Sequence, residues 1–192
     1  MKNILKYSVV LLAAMILSSC SDQVTGSLNS PENSELNKAE LLVPGELSQE
    51  EADGIIFMRQ EEKVARDVYT ILGQTWDLKI FENIKIAEQK HMDAVQKLII
   101  KYNLTDPVIN DEVGVFADPA FQQMFDDFVL QGQQSIIEAM LVGQTIEEQD
   151  IAALENQLSF IDNQDLIKVY SNLKTASENH LFAFTNYVIT AY

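Results

Sequence analysis

Four long segments of the chain repeat apolar residues at alternating steps of three and four, the period of an α-helix that buries one face. The chain has only 7 glycines and 4 prolines, so few residues interrupt these segments. No stretch shows the strict alternation of apolar and polar residues that is typical of a half-buried strand. The sequence therefore predicts an all-α protein.

Helix-start and helix-stop signals set the predicted bounds. Long helices are expected at about 48–72, 77–102, 135–160 and 162–192, with a shorter one at about 118–132. Gly73 is expected to end the first of them. The starts are assigned to Ser48 with Glu51, Ser135 with Glu138, Asp77, Asp118 and Asp162. The expected architecture is a four-helix bundle, with the short helix in the crossover between the second and third long helices.

The first twenty residues are typical of an export signal. Lys2 and Lys6 precede an apolar run over 7–17, which is too short to span the roughly 30 Å of membrane hydrocarbon. The segment Leu-Ser-Ser-Cys that ends at Cys20 resembles the lipobox of bacterial lipoproteins, whose cysteine is acylated. The alternative is an ordinary secretory signal in which this cysteine is incidental.

This interpretation divides the chain into three parts. Residues 1–19 are expected to be a lipoprotein signal peptide, 20–47 a flexible tether after lipidated Cys20, and 48–192 the folded domain. The chain would then be anchored to a bacterial membrane at the cell envelope. Ser21 after the cysteine resembles sorting to the outer membrane.

Charge and cysteine content exclude several classes of function. The net charge of −16 argues against a nucleic-acid partner, since phosphate binding needs clustered Lys and Arg. A single cysteine excludes a disulfide framework and a cysteine-ligated zinc site within one chain.

Acidic and imidazole side chains interrupt the apolar stripes of three long helices. Glu88 and His91 lie on the stripe of the second helix, Glu147 on that of the third and His180 on that of the fourth. These two histidines are the only ones in the chain. Each could instead be an ordinary hydrogen-bonded core group, and a lone Glu-x-x-His pair is common on helix surfaces.

The first helix has two competing stripes, one with Glu62 and one with Glu61, so one of these acids is expected to face inward or flank the core. A buried acid needs a partner. Lys63 is expected to point elsewhere, and Arg66 to reach only a flank. Divalent cations held by carboxylates and neutral imidazoles from facing helices would neutralise these acids. The sequence therefore predicts a metal centre.

Motifs at 62–69, 87–95, 146–151 and 177–184 look like those of domain of unknown function 2202, a bacterial and archaeal family with a ferritin-like fold. The resemblance covers about residues 50–192. It implies an antiparallel ferritin-like bundle. It adds a fold family to the four-helix bundle and the metal centre that the stripes predict.

The first motif is also similar to helix one of rubrerythrins and bacterioferritins, which implies Glu62 rather than Glu61 as an iron ligand. Glu147 and Asp150 resemble the paired acids of rubrerythrin helix three, with Glu148 left open. The resemblance thus implies one or two iron ions, or manganese or zinc. The implied ligands are Glu62, Glu88, His91, Glu147 and His180, with Glu148 and Asp150 as further candidates.

One residue departs from the ferritin-like pattern. Ser177 stands three residues before His180, where such sites normally carry a bridging glutamate, and Glu178 lies about 100° away around the helix. The departure implies a single metal, an altered pair that recruits Asp150, or a lost activity.

Two functions follow from the resemblance. The first is an envelope lipoprotein whose metal centre acts as a di-iron oxidoreductase on oxygen or peroxide, with an external electron donor because the cysteine-rich domain of rubrerythrins is lacking. The second is a non-enzymatic bundle that binds metal or another protein. A homodimer is compatible with either, and the sequence assigns no catalytic residue.

Overall fold

The structure, a computed structural model, describes residues 47–190, which form five α-helices and no β-strand. The helices are α1 (Gln49–Trp76), α2 (Lys79–Lys101), α3 (Pro119–Gly132), α4 (Ile136–Leu158) and α5 (Gln164–Thr190). The prediction of four long helices and one short one is confirmed for these residues. The predicted signal peptide, Cys20 and nearly all of the predicted tether lie outside them. Within 47–190, no helix combines the length and hydrophobicity that a membrane span requires.

Three of the predicted helix starts are present. Ser48 and Glu51 form a capping box, in which each side chain accepts the backbone N–H of the other. Ser135 accepts from the amide of Glu138 at 3.1 Å. Asp118 accepts from the amide of Ala120 at 2.8 Å and precedes Pro119 in the first turn of α3.

Two predicted starts are wrong. Asp77 does not cap α2. It ends α1 in the left-handed conformation (φ 51°), with its N–H donated to the carbonyl of Gly73. Gly73 lies inside α1, where a Cβ atom would come within 2.9 Å of the Glu82 carboxylate, so the glycine serves helix packing and not termination. At α5, the side chain that accepts from the amide of Asp165 belongs to Asn163 and not to Asp162.

The core consists of two apolar clusters, and each long helix contributes to both. The Tyr69 cluster includes Tyr69, Phe81, Met140 and Phe184. The Tyr170 cluster includes Met58, Val95, Leu154 and Tyr170. α1 packs most extensively against α2, and α4 against α5. On every long helix, the candidate metal ligands lie in sequence between the residues of one cluster and those of the other.

Lys63 forms no ion pair with Glu61 or Glu62, as expected, but its side chain is buried. Its ammonium group pairs with Asp67 one turn later at 2.5 Å and donates to the carbonyl of Glu112. Asp67 also accepts from Arg66 and from the amide of Gly114. The bases of α1 therefore neutralise Asp67 and hold the segment between α2 and α3. The periodic pattern missed this network because its partners lie in that irregular segment.

Replacing Asp67 by Asn is expected to destabilise the protein by about 3–5 kcal/mol, because it leaves the ammonium of Lys63, 1 % exposed, without its counter-charge. Urea unfolding measures the change. Glu82→Gln is the matched control, since it breaks a partly exposed pair with Lys85 and should cost about 1 kcal/mol or less. Equal losses in the two variants would contradict the assigned role of Asp67.

Candidate metal centre

Glu88 of α2 lies between the two histidines of the chain. One of its carboxylate oxygens is 2.8 Å from Nδ1 of His91, and the other is 2.9 Å from Nδ1 of His180. His91 follows Glu88 by one helical turn, whereas His180 comes from α5. The two imidazole rings are stacked with their centroids 5.8 Å apart. A single carboxylate thus faces both rings.

Two further acids complete two groups of ligand atoms. Glu62 of α1 joins Glu88 and His91, and Glu147 of α4 joins Glu88 and His180. Within each group the atoms lie within 4.8 Å of one another. The groups have the same composition, two carboxylates and one imidazole, and they share Glu88. This arrangement offers two neighbouring cation positions.

The three acids of the two groups are each only 2 % exposed, and burial is the largest single influence on the pKa of each. It raises the pKa of Glu62 to about 8, although His91 opposes the shift. Burial and the charge of Glu88 raise the pKa of Glu147 to about 7. Burial would also raise the pKa of Glu88, but its contacts with His180 and His91 lower it to about 2. Glu88 is therefore ionised at neutral pH.

The histidines shift in the opposite direction. Burial alone would lower their pKa, but the contacts of His91 with Glu62 and Glu88 raise it to about 11. Contacts with Glu147 and Glu88 likewise raise the pKa of His180 to about 10. Without a metal ion, both rings are therefore imidazolium ions at neutral pH. A metal ion would replace a proton on each ring.

The orientation of several buried atoms fits a cation better than a hydrogen bond. Oε1 of Glu88 and Nδ1 of His180 approach to 2.9 Å, yet neither has a hydrogen-bond partner with acceptable angles. Oε1 of Glu62 is also buried without a partner. Buried polar atoms rarely remain unsatisfied, so these atoms fit the ligand set of a cation. No Lys or Arg of residues 47–190 forms an ion pair with this cluster.

Tyr69 holds Glu147 in place. Its hydroxyl donates to the carboxylate at 2.7 Å from a fully buried ring. Gly143, one turn before Glu147, lets the ring of Phe184 approach so closely that a Cβ atom would meet it at 2.6 Å. From the sequence, Tyr69 was assigned no role at the centre. Its position two turns after Glu62, on the same helical face, was the available signal.

Among the remaining candidates, Glu148 is exposed and lies outside the cluster. Asp150 is buried, and the hydroxyl of Ser177 donates to its Oδ2 at 2.5 Å. Glu61 and Glu62 are both buried, so the two stripes of the first helix do not exclude each other. Only Glu62 contacts a histidine, with its carboxylate 3.2 Å from Nδ1 of His91.

The chain is similar to a family of protein domains and to one of its members, and neither similarity assigns an activity. Residues 51–191 match the family described as "Uncharacterized protein domain (DUF2202)". "Uncharacterized protein MJ0754" of Methanocaldococcus jannaschii is 50 % identical over 138 residues, which cover 72 % of this chain and 75 % of that protein. The crystal structure of hypothetical protein MJ0754 from Methanococcus jannaschii superposes with a TM-score of 0.76 at 47 % identity, covering 78 % of this chain and 86 % of that one.

Proposed function

Because this chain belongs to the DUF2202 family of uncharacterized protein domains, we propose its function from the geometry of the centre: a ferritin-like metal-binding protein that acts as a di-iron oxidoreductase on oxygen or peroxide. The observation that carries the proposal is the pair of ligand groups that share Glu88. The proposed ligands are Glu62, Glu88, His91, Glu147 and His180.

The order of the apolar clusters along the helices supports a ferritin-like antiparallel bundle. α1 and α5 run from the Tyr170 cluster to the Tyr69 cluster, whereas α2 and α4 run the other way. Two antiparallel pairs joined by a long crossover have this order, and the segment between α2 and α4 carries α3. In such a bundle the acids and imidazoles form a polar layer between two apolar ends.

Carboxylates and imidazoles together suit iron, manganese or zinc. Iron, when bound, would supply the one-electron chemistry that oxygen or peroxide requires. Glu88 would balance charge between the two positions, and Tyr69 would keep Glu147 oriented through its hydrogen bond. The surrounding apolar clusters would keep bulk water from the centre. Electrons would come from an external donor.

The proposal extends to the cellular setting. On the residues around Cys20 we propose a lipid-anchored protein of the cell envelope, on the outer membrane of a bacterium, with 20–47 as the tether. A metal ion and the lipid bilayer would then be its partners, nucleic acid would not, and a homodimer is compatible with the anchor.

One observation favours a second function, non-enzymatic metal binding. Ser177 stands where a second bridging carboxylate would lie in a ferritin-like site, and its hydroxyl is engaged with Asp150. With Glu88 as the one carboxylate common to both ligand groups, the residues that would hold two ions would supply less negative charge to stabilise an oxidised state. Metal binding without turnover of oxygen or peroxide would be consistent with this smaller negative charge.

Anaerobic loading with ferrous ion, followed by exposure to oxygen, tests these functions. We expect close to two iron ions per chain and oxygen consumption faster than that of ferrous ion in buffer. His91→Ala/His180→Ala should retain little iron, whereas Lys90→Ala, an exposed change beside His91, should behave as the unmodified protein. Iron without oxygen or peroxide turnover would leave non-enzymatic binding, and absence of iron would overturn both functions.

A further inference from the structure

The two histidines are the part of the proposed centre that reaches solvent. Their side chains are 10 % and 13 % exposed, whereas those of Glu62, Glu88 and Glu147 are each 2 % exposed. Nδ1 of each ring faces Glu88, so the opposite edge of the ring, with Nε2, points away from the carboxylates. Because His91 belongs to α2, His180 belongs to α5 and the rings stack, these edges lie along the boundary between the two helices. The centre is therefore nearest to solvent between α2 and α5.

The exposed positive charge of residues 47–190 lies on these same two helices. The three bases of α1 are buried. Residues 102–163, which include α3 and α4, contain acids but no Lys or Arg. In contrast, α2 has five lysines and α5 has two. The surface around the histidine edges is thus basic in a chain whose net charge is −16.

Four lysines of α2 form one exposed stripe. At 100° per residue, they lie within about 40° of one another around the helix. They are Lys79, Lys90, Lys97 and Lys101. Lys101 pairs with Asp165 of α5, so the stripe follows the boundary between α2 and α5. The other three form no ion pair with any residue of 47–190.

A matching stripe of α5 lies on the other side of this boundary. Its members are exposed and also fall within about 40° around the helix: Lys168, Asn172, Asn179 and Asn186. Lys90 directly precedes His91, and Asn179 directly precedes His180, so the two stripes flank the imidazole edges. We call the two stripes together the lysine-asparagine face. Its acid Asp165 is already paired, which leaves the face with unpaired positive charge.

We propose that the lysine-asparagine face docks an acidic protein that carries a one-electron redox group. This inference rests on the proposed function, which needs an external electron donor, and it names the surface and the charge of that donor. Complementary charge steers two proteins together and fixes their register. In each encounter the donor would lose one electron and one ferric ion would become ferrous, with the imidazole edges of His91 and His180 as the route from the surface. The position of these edges between the two stripes favours a redox protein over an anionic membrane as the occupant.

Binding of an acidic [2Fe–2S] ferredoxin to the whole metal-free chain tests the face without relying on turnover. We expect calorimetric titration to give a dissociation constant that rises steeply with salt. Lys97→Gln/Lys168→Gln should raise it by about 10-fold, since each lost charge removes a favourable interaction with the acidic probe. Gln123→Glu/Gln134→Glu is the matched control. It changes the net charge equally, at exposed positions on or next to α3, which packs against α1 and α4 only, and should leave binding nearly unchanged.

Electron delivery is then measured with the iron-loaded chain. Reduced ferredoxin should be oxidised about 10-fold more slowly by Lys97→Gln/Lys168→Gln than by the unmodified chain, in proportion to the weaker docking. Oxygen consumption with ferrous ion should be the same in both, because ferrous ion supplies its own electrons. Docking without oxidation of the ferredoxin would overturn the assigned donor role.

The remaining outcomes separate this inference from the proposed function. Equal weakening by the two double variants would show that only net charge matters, and would overturn the face. Absence of salt-dependent binding to ferredoxin would also overturn it, and binding of phosphatidylglycerol vesicles through the same lysines would then assign the face to a membrane. In both cases normal oxygen consumption with ferrous ion would leave the proposed function intact. Lysine-dependent docking to a chain that does not react with oxygen or peroxide would overturn the proposed function and retain the docking surface.

Discussion

Replacing Glu88 by Gln is expected to release both ions of the proposed pair together. Each ligand group would lose the carboxylate that faces its imidazole, at 2.8 Å in one group and 2.9 Å in the other. Loss of a group that only orients a ligand already costs about 10–100-fold in metal affinity, so loss of a shared ligand should weaken each ion by about 100-fold or more. Elemental analysis after dialysis measures the ions retained.

Variants of the unshared acids provide the comparison. Glu62→Gln should weaken the ion held with His91, and Glu147→Gln the ion held with His180, since each acid belongs to one group only. Each variant should therefore retain close to one ion where Glu88→Gln retains close to none. If Glu88→Gln loses only one ion, the carboxylate is not shared and the proposed pair is wrong.

Much of the fold could be predicted from the sequence because local signals and burial agree over long segments. Helical periodicity and the caps at Ser48, Asp118 and Ser135 are local properties, and the structure has all three. Asp77 and Gly73 were misassigned because each residue type has two common uses. Asp77 caps a helix end in the left-handed conformation, and Gly73 allows a close approach of α2. Only the packing of two helices decides between such uses.

The candidate site shows the same limit at the level of single side chains. Periodicity placed Glu88, His91 and Glu147 inward, and all three are buried. It gave no means of recognising that Glu88 faces both imidazoles, because that contact depends on the rotation of α2 relative to α5. Periodicity also treated Glu61 and Glu62 as alternatives, although a helix covered on several sides can bury both.

Buried charge was the hardest feature to predict. Lys63 was expected to point away from the inward acids, and the burial of its side chain was not predicted, since lysine is seldom buried without a partner. Its partner Asp67 lies one turn later on the same helix, and the second acceptor, the carbonyl of Glu112, lies in an irregular segment. A pattern that scores each residue by its own polarity misses a pair whose members neutralise each other.

Raising the pH is expected to weaken the metal-free protein and not the metal-loaded one. The pKa of His91 is raised to about 11 and that of His180 to about 10, against an ordinary value of 6.5. These shifts contribute their full stabilisation below about pH 6.5, the pKa of an unfolded histidine. The stabilisation is lost as the pH rises toward the pKa values of the two histidines in the folded protein. The raised pKa values of Glu62, about 8, and Glu147, about 7, act in the same direction from about pH 4.5 upward. The free energy of unfolding without metal should fall by about 3–4 kcal/mol per pH unit between pH 7 and 8.

Bound metal removes that dependence, because the ion replaces the protons on both imidazoles. With excess Mn²⁺, stability should rise between pH 5.5 and 7, as unfolded histidines lose their protons, and should change little up to pH 8. The gap between the curves with Mn²⁺ and with chelator is the binding free energy, so it must widen with pH. Urea unfolding at several pH values gives both curves. Calorimetric titration in buffers of different ionisation enthalpy should record about three protons released at pH 7, two from the imidazoles and the rest from Glu62 and Glu147. Parallel curves would show that the ion binds away from His91 and His180. The pH dependence with metal differs from that without metal only if the ion displaces protons from its ligands.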